Sequence, residues 1–190
     1  MRRENSAGFT LIELMVVVLI IGMVAATVVL SVGVTGRDRD MDKESERAVA
    51  LLNYTREKAE LQTHEFGLYF NNDAYEFLTY DPRKAIWRGV DEDDALRLRE
   101  MPSGLTLHLT VEGRPVVLKD HAEDEKKYPT EKDKDRRDKE RVPHVMLFSN
   151  GDLTPFQLGI ERQDAGRSVN LGLNDKNKFE AEPLKEVARR

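Results

Sequence analysis

The chain has 190 residues, a formal net charge of -5 and 34% charged residues of both signs, without a basic patch large enough to bind nucleic acid. It contains no cysteine, which excludes a disulfide framework, thiolate catalysis and zinc sites with cysteine ligands. Beyond one short leader and one membrane helix, roughly 150 residues would remain, which suits a single soluble domain.

An apolar run over residues 8–30 is the first feature of the chain. Its length is about that of a helix across a bilayer core, at roughly 1.5 Å per residue. A core helix of a soluble domain would show a polar stripe, and this run has none. We predict a leader over residues 1–8, a transmembrane helix over residues 9–35 and a soluble domain over residues 36–190.

The charges around this run predict its orientation. Arg2 and Arg3 precede it, and the positive-inside tendency keeps a basic leader in the cytoplasm. The expected location is therefore the inner membrane, crossed once, with the following domain in the periplasm. A conventional secretory signal peptide is the alternative, but the run is too long for its apolar region and no small-x-small cleavage site closes it.

Glu13 is the only charged residue between residues 9 and 34. A carboxylate costs about 2.5–3.5 kcal/mol near the centre of a membrane helix and less near its ends. One interpretation is a side chain that reaches back to the headgroups from the first helical turn. The favoured one is a functional charge that needs a positive partner at the membrane interface.

The residues Gly8-Phe9-Thr10-Leu11-Ile12-Glu13, preceded by basic residues and followed by an apolar run, resemble the type IV prepilin signal, also called the class III signal peptide. The resemblance implies cleavage after Gly8, N-methylation of the new amino terminus at Phe9, and assembly through Glu13. Gly8 suits the cleavage because a residue without a side chain can lie extended in a protease site. The ammonium at Phe9, on this or a neighbouring subunit, would be the positive partner of Glu13.

A second helical segment is predicted over about residues 38–64. Its apolar and small residues recur at helical spacing and form one stripe, made of Ala48, Leu52, Thr55 and Ala59. Three further residues are expected to widen this stripe, namely Leu51, Tyr54 and Leu61. The stripe predicts that the helix lays one face on the sheet that follows.

From residue 65 to about residue 175 the pattern alternates, which predicts strands. Turn residues predict hairpins at Asn71-Asn72-Asp73, at Glu112-Gly113 and at Asn150-Gly151. The predicted strands cover residues 66–70, 75–80, 105–111, 116–118, 145–148, 156–160 and 168–173. A long helix followed by a mainly antiparallel sheet belongs to the α+β class, and the resemblance to prepilins implies a pilin-like fold.

The soluble part is similar to the H-type minor pseudopilins of type II secretion. The similarity is carried by Phe66-Gly67-Leu68, Tyr75 with Phe77-Leu78, Trp87, Leu96-Arg97 with Arg99, Met101-Pro102 with Gly104-Leu105, and residues 147–152. It implies a structural subunit near the tip of a periplasmic pseudopilus that drives export of folded proteins across the outer membrane. The implied partners are other major and minor pseudopilins, the prepilin peptidase and methyltransferase, the inner-membrane assembly platform and membrane lipid, and no nucleic acid.

An insertion over residues 119–142 interrupts the strand pattern, because almost every residue in it is charged. Since so little apolar surface cannot offset the chain entropy, we predict a mobile, solvated loop or a frayed helix. A contact surface for a neighbouring pseudopilin or an exported protein is the alternative. The polar tail from Lys176 onward is expected to be loosely ordered.

The sequence offers no convincing catalytic or metal site, and we expect neither a cofactor nor enzymatic activity. The histidines lack the spacing of metal ligands; they are His64, His108, His121 and His144. The acidic run over residues 91–94 lacks the spacing of a calcium loop and predicts an acidic turn before Leu96. Ser149 has no nucleophile-elbow glycines around it, and no phosphate-cradling glycine loop is present.

Two classes of function therefore compete. The first is a structural subunit, either a minor pseudopilin or its close variant, a minor pilin of a type IV pilus or DNA-uptake system. The second is a periplasmic enzyme or binding module on a single-pass anchor. Glu13 and the Gly8-Phe9 junction favour the first class, because a plain anchor has no reason to hold a buried carboxylate.

Overall fold

The structure is a computed structural model, and it describes residues 11–90, 92–130, 133–162, 164, 166–182 and 185–186. The side chains of residues 25–38, 134–135 and 185–186 are outside that description. The chain divides into two compact units, Met1–Asp40 and Met41–Arg190.

The first unit contains the N-terminal part of helix α1, which runs over Leu11–Gln62. Its residues from Leu11 to Val24 are all exposed. Within the part of the chain that the structure describes, no helix is long and apolar enough to cross a membrane. The transmembrane helix expected over residues 9–35 begins before Leu11 and ends among residues whose side chains are not described, so it stays a prediction.

In the second unit, the predicted stripe of α1 faces the core. At most 2% of each stripe residue is exposed, which confirms the prediction for Ala48, Leu52, Thr55 and Ala59. The expectation that Tyr54 and Leu61 widen the stripe is wrong, because 43% of Tyr54 and 78% of Leu61 are exposed. Leu61 follows Ala59 by two residues, about 200° around the helix, and therefore lies on the opposite side.

The first sheet is antiparallel, and its strands are β1 (Phe66–Phe70), β2 (Ala74–Asp81), β3 (Ile86–Gly89), β4 (Arg99–Glu100) and β7 (Val145–Leu147). Their order is β3, β2, β1, β7, and β4 also pairs with β2. The hairpin predicted at residues 71–73 is confirmed, since β1 pairs with β2 in a register that sets Phe70 opposite Tyr75.

The second sheet is also antiparallel, and its strands are β5 (Leu105–Val111), β6 (Arg114–Val116), β8 (Phe156–Arg162), β9 (Arg167–Leu173), β10 (Phe179–Ala181) and β11 (Lys185–Glu186). Their order is β10, β9, β8, β5, β6, with β11 also on β9. The turn predicted between β5 and β6 is confirmed. Glu112 and Gly113 have φ values of 50° and 77°, the positive values of a two-residue hairpin turn.

Some strands differ from the prediction. β3 and β4 were not expected, and the tail from Lys176 contributes β10 and β11, where loose order was expected. The turn at Asn150-Gly151 is present, but it closes only a single bridge between Leu147 and Leu153. The strand expected over residues 116–118 ends at Val116.

The insertion contains two short helices, α2 (His121–Lys127) and α3 (Lys134–Glu140). The helical alternative to a loop is therefore found, but the expectation of a solvated segment is wrong for His121, Asp138 and Arg141, which are buried. Glu76 of the first sheet replaces the water that the Arg141 side chain loses, so this end of the segment packs without a large apolar surface.

One core joins α1 to the inner faces of both sheets. It includes Met41 and Leu52 from α1, Phe77 from the first sheet, and Leu107 and Ile160 from the second. Strand residues alternate between two faces, and Phe66, Leu68 and Phe70 of β1 point into this core. Gly67 and Tyr69 therefore lie on the outer face of the first sheet, the face that the insertion covers.

Candidate functional site

The expected assembly residues lie at the start of the chain. Gly8 and Phe9, the expected cleavage and methylation positions, are outside the residues that the structure describes. Glu13 is described: it is the acidic residue in the first turn of α1, and it is exposed.

The surface around Glu13 is apolar. Large apolar side chains between Leu11 and Val24 are exposed by 43% to 77% of their surface. Such a surface is unfavourable in water, at roughly 25 cal/mol per Å², and suits lipid or other apolar helices. In those surroundings a carboxylate needs a nearby cation. An amine created at Phe9 would lie four residues before Glu13 in the chain.

The histidines lie apart and serve different local roles. His108, on the exposed face of β5, pairs with Glu161 of β8 at 2.8 Å. The backbone N–H of His121 donates to Asp73 at 2.8 Å, and the Nδ1 atom of His144 accepts from the N–H of Phe70 at 3.1 Å. Among the residues that the structure describes, no group of three or more His, Asp or Glu side chains could hold a metal ion.

The acidic turn expected before Leu96 is confirmed for Asp93 and Asp94, while Asp91 lies outside the described residues. Asp93 caps a short 3₁₀ helix, Asp94–Leu96, by accepting from the N–H of Ala95 at 3.0 Å. Its carboxylate also accepts from Tyr54 at 2.8 Å and Lys58 at 2.5 Å, both on α1. The hydrogen bond from Lys58 lowers the pKa of Asp93 below its usual value, and this carboxylate serves to tie the turn to the helix.

A polar network between the insertion and the first sheet was not predicted from the sequence. It joins the insertion to the outer face of the first sheet, where Arg141 pairs with Glu76 and both are buried. The Arg141 guanidinium also lies 4.8 Å from the ring centroid of Tyr69. The sequence of β2 did indicate that something covers this outer face. A strand of nearly continuous apolar residues around Glu76 is typical of a sheet covered on both faces.

A cleft of about 570 Å³ opens between the insertion and the first sheet. Carboxylates from Glu76 and Asp124 and guanidinium groups from Arg137 and Arg141 line it, so neither sign of charge dominates. This balance gives the cleft no evident preference for a charged ligand.

Comparisons with known proteins agree with the leader motif. Residues 3–35 match a sequence-family model described as the prokaryotic N-terminal methylation motif. The "Type II secretion system protein H" of Pseudomonas aeruginosa is 36% identical over 187 residues, which cover 97% of this chain and 98% of that relative. The protein of the same name from Aeromonas hydrophila is 32% identical over 164 residues, 86% of this chain and 85% of that relative.

Two solved structures of the minor pseudopilin EpsH from the type II secretion system of Vibrio cholerae share the fold, which confirms the predicted α+β class. Their TM-scores are 0.57 and 0.56, at 18% and 16% identity. The matches cover 78% and 75% of this chain and 96% of each EpsH chain. With near full-length similarity to its relatives, the chain belongs to the type II secretion system protein H family.

Proposed function

We propose that this chain is a minor pseudopilin, a structural subunit of type II secretion that assembles near the tip of a periplasmic pseudopilus. The observation that carries the proposal is Glu13, a carboxylate within an exposed apolar stretch of α1. A carboxylate in that position is costly for a plain anchor and useful for a subunit that pairs it with a cation during assembly.

Processing supplies that partner in the proposal. A prepilin peptidase cleaves after Gly8, a methyltransferase modifies the new amino terminus at Phe9, and the resulting amine pairs with Glu13. Before assembly, water at the membrane interface solvates both groups. Within a bundle of apolar helices they lose that water, and their attraction grows as the local dielectric constant falls.

The proposed location is the inner membrane, with the second unit in the periplasm. Arg2 and Arg3 support this orientation because basic residues favour the cytoplasmic side. The exposed apolar side chains of residues 11–24 support contact with lipid before assembly and with neighbouring helices afterwards.

The proposed work is contact and assembly, with no catalytic step. Other major and minor pseudopilins and the inner-membrane assembly platform are the partners, and no cofactor is required. The polar groups that the structure describes support a structural role: Asp93 ties a turn to α1, and Arg141 and Glu76 hold the insertion on the sheet.

Deletion of the gene in the producing organism tests this function. Secretion of exported proteins should be lost while twitching motility and DNA uptake remain. The wild-type gene should restore secretion, as should Glu46→Ala, which changes an exposed acidic residue on α1 in the second unit. Glu13→Ala should not. Intact secretion together with lost twitching or DNA uptake would instead indicate a minor pilin, which has the same kind of leader and helix.

A further inference from the structure

The insertion is fastened to the first sheet near both of its ends. At its start, Asp120 accepts from Asn72, and the N–H of His121 donates to Asp73. At its end, Arg141 pairs with Glu76. These contacts are polar, so they depend on the charge and protonation of the groups that make them.

A third attachment lies between these ends, on Asp124 of α2. One oxygen of its carboxylate accepts from the hydroxyl of Tyr69 and from the side-chain amide of Asn71, both at 3.0 Å. The Tyr69 ring in turn stacks on His144, with centroids 4.8 Å apart and an interplanar angle of 26°. His144 therefore lies where the insertion returns to the sheet.

The hydrogen bonds of His144 fix its protonation state. Its Nδ1 atom accepts from the N–H of Phe70 at 3.1 Å, so the proton of the neutral ring must be on Nε2. The backbone N–H of His144 donates to the carbonyl of Leu68 at 2.8 Å and holds the residue beside β1. A second proton on the ring would occupy Nδ1 and face the N–H of Phe70, where two donors repel each other.

Beneath this end of the insertion lies Trp87, the only tryptophan of the chain. Gly67 marks the contact, because a Cβ atom added there would lie 2.6 Å from Pro143 and 3.1 Å from Trp87. Leu78, which pairs with Gly67 in the sheet, is completely buried on the same outer face. Displacing Pro143 and His144 together would therefore expose apolar surface around Trp87.

We propose that the insertion is a pH-sensitive cover of the first sheet, closed while His144 is neutral and opened when His144 takes up a second proton. Opening releases Arg141 and Pro143 with His144 and exposes the face around Trp87. The attachment at Asp120 and His121 contains no bond to the His144 ring, so it stays in place as the hinge.

The groups around His144 act in opposite directions on its charge. Burial of the ring lowers the pKa of His144 below its usual value of 6.5, and the carboxylate of Asp124 partly opposes this. Arg141 is a further charged group near this ring, because its guanidinium lies over the Tyr69 ring on which His144 stacks. Because the closed state holds the neutral ring, its stability is complete above pH 6.5 and decreases as pH falls below that value.

Fluorescence of Trp87 in the full-length protein, held in detergent micelles, tests the proposal. Between about pH 7.5 and about pH 5, its emission should shift to longer wavelength and acrylamide should quench it more strongly. The far-UV circular dichroism should be retained, because the two sheets stay folded. Loss of the circular dichroism signal in the same step would mean general unfolding and would overturn the proposal.

Two variants separate His144 from other titrating groups. His144→Asn keeps an acceptor oxygen where Nδ1 was but cannot take up a proton, so its Trp87 emission should not respond to pH. His108→Asn, on the second sheet, should respond as the wild type does. The same transition in His144→Asn as in the wild type would contradict the proposal.

Nitrogen NMR of the wild-type histidines gives a test that needs no variant. At neutral pH, His144 should carry its proton on Nε2, and its titration should coincide with the change in Trp87 emission. A neutral ring protonated on Nδ1, or a titration without any change at Trp87, would overturn the proposal.

Discussion

Arg141 at the end of the insertion and Glu76 in β2 form an ion pair that is almost removed from water, with 8% of each residue exposed. The guanidinium also contacts the Tyr69 ring, so it holds the insertion by charge and by stacking. Because two desolvated charges compensate each other, the loss of one partner leaves the other buried and unpaired.

Arg141→Ala is therefore expected to reduce the free energy of unfolding by about 3–5 kcal/mol. Urea denaturation of the full-length protein in micelles would measure this. Arg136 provides the matched control, since it pairs with Glu140 on the exposed side of the insertion. Arg136→Ala should leave the unfolding midpoint unchanged. A midpoint for Arg141→Ala equal to that of Arg136→Ala would mean that the buried pair does not fasten the insertion.

Two glycines in strands should respond to alanine in opposite ways. Neither has a positive φ, so only the surrounding space decides the outcome. Gly67→Ala would place its methyl group 2.6 Å from Pro143 and should cost about 1–3 kcal/mol. Gly172→Ala meets nothing within 4 Å and should gain about 0.5–1 kcal/mol, because alanine loses less chain entropy. Thermal unfolding of both variants checks the contrast, and a stabilised Gly67→Ala would contradict the close packing of the insertion.

The half-buried Tyr69 and the buried Tyr75 differ in their hydroxyl partners. Tyr69 donates to Asp124 at 3.0 Å, whereas no partner within the described residues accepts the hydroxyl of Tyr75. Tyr69→Phe should cost about 1.5–3 kcal/mol at neutral pH, the range for hydrogen bonds to charged groups. Tyr75→Phe should be neutral or stabilising. Equal losses in the two variants, measured by urea denaturation, would show that the bond to Asp124 contributes nothing.

Tyr69 also predicts how the free energy of unfolding depends on alkaline pH. Burial, and then the hydrogen bond to Asp124, raise the pKa of Tyr69 from 10.0 to about 12. The folded state thus favours the neutral phenol, so its contribution is complete below pH 10.0 and is lost as pH rises toward about 12. The unfolding midpoint should decline less steeply over this range in Tyr69→Phe. An identical slope in the wild type and the variant would place the alkaline sensitivity elsewhere.

Local patterns predicted much of the fold. β1 and β5 have the predicted bounds because alternation and turn residues are properties of neighbouring positions. β10 was missed because its order depends on a distant residue: Asn53 on α1 donates to the carbonyl of Phe179 and accepts from its N–H, both at 3.0 Å. No local signal reports a contact between residues so far apart in the chain.

The composition of the insertion predicted a solvated segment, although part of it packs on the first sheet. A segment of charged residues looks solvated when each charge is considered with water as its partner. Here Glu76 and Tyr69 in the sheet offer partners to Arg141 and Asp124, and these pairings appear only once the chain has folded. For the predicted assembly residues the situation is reversed, because Gly8, Phe9 and Glu13 form a short motif that needs no tertiary contact to be recognised.

Crosslinking through the N-terminal helix tests the proposed role of Glu13 most directly. The chain lacks cysteine, so a cysteine introduced at Val16 is unique and lies one turn from Glu13. With wild-type Glu13 it should crosslink to neighbouring pseudopilins in secreting cells, and Glu46→Ala should not alter that yield. Glu13→Ala should be inserted, cleaved and folded normally but lose the crosslinks and secretion, with Glu13→Asp intermediate. Wild-type crosslinking and secretion in Glu13→Ala cells would contradict the pairing of Glu13 with the Phe9 amine.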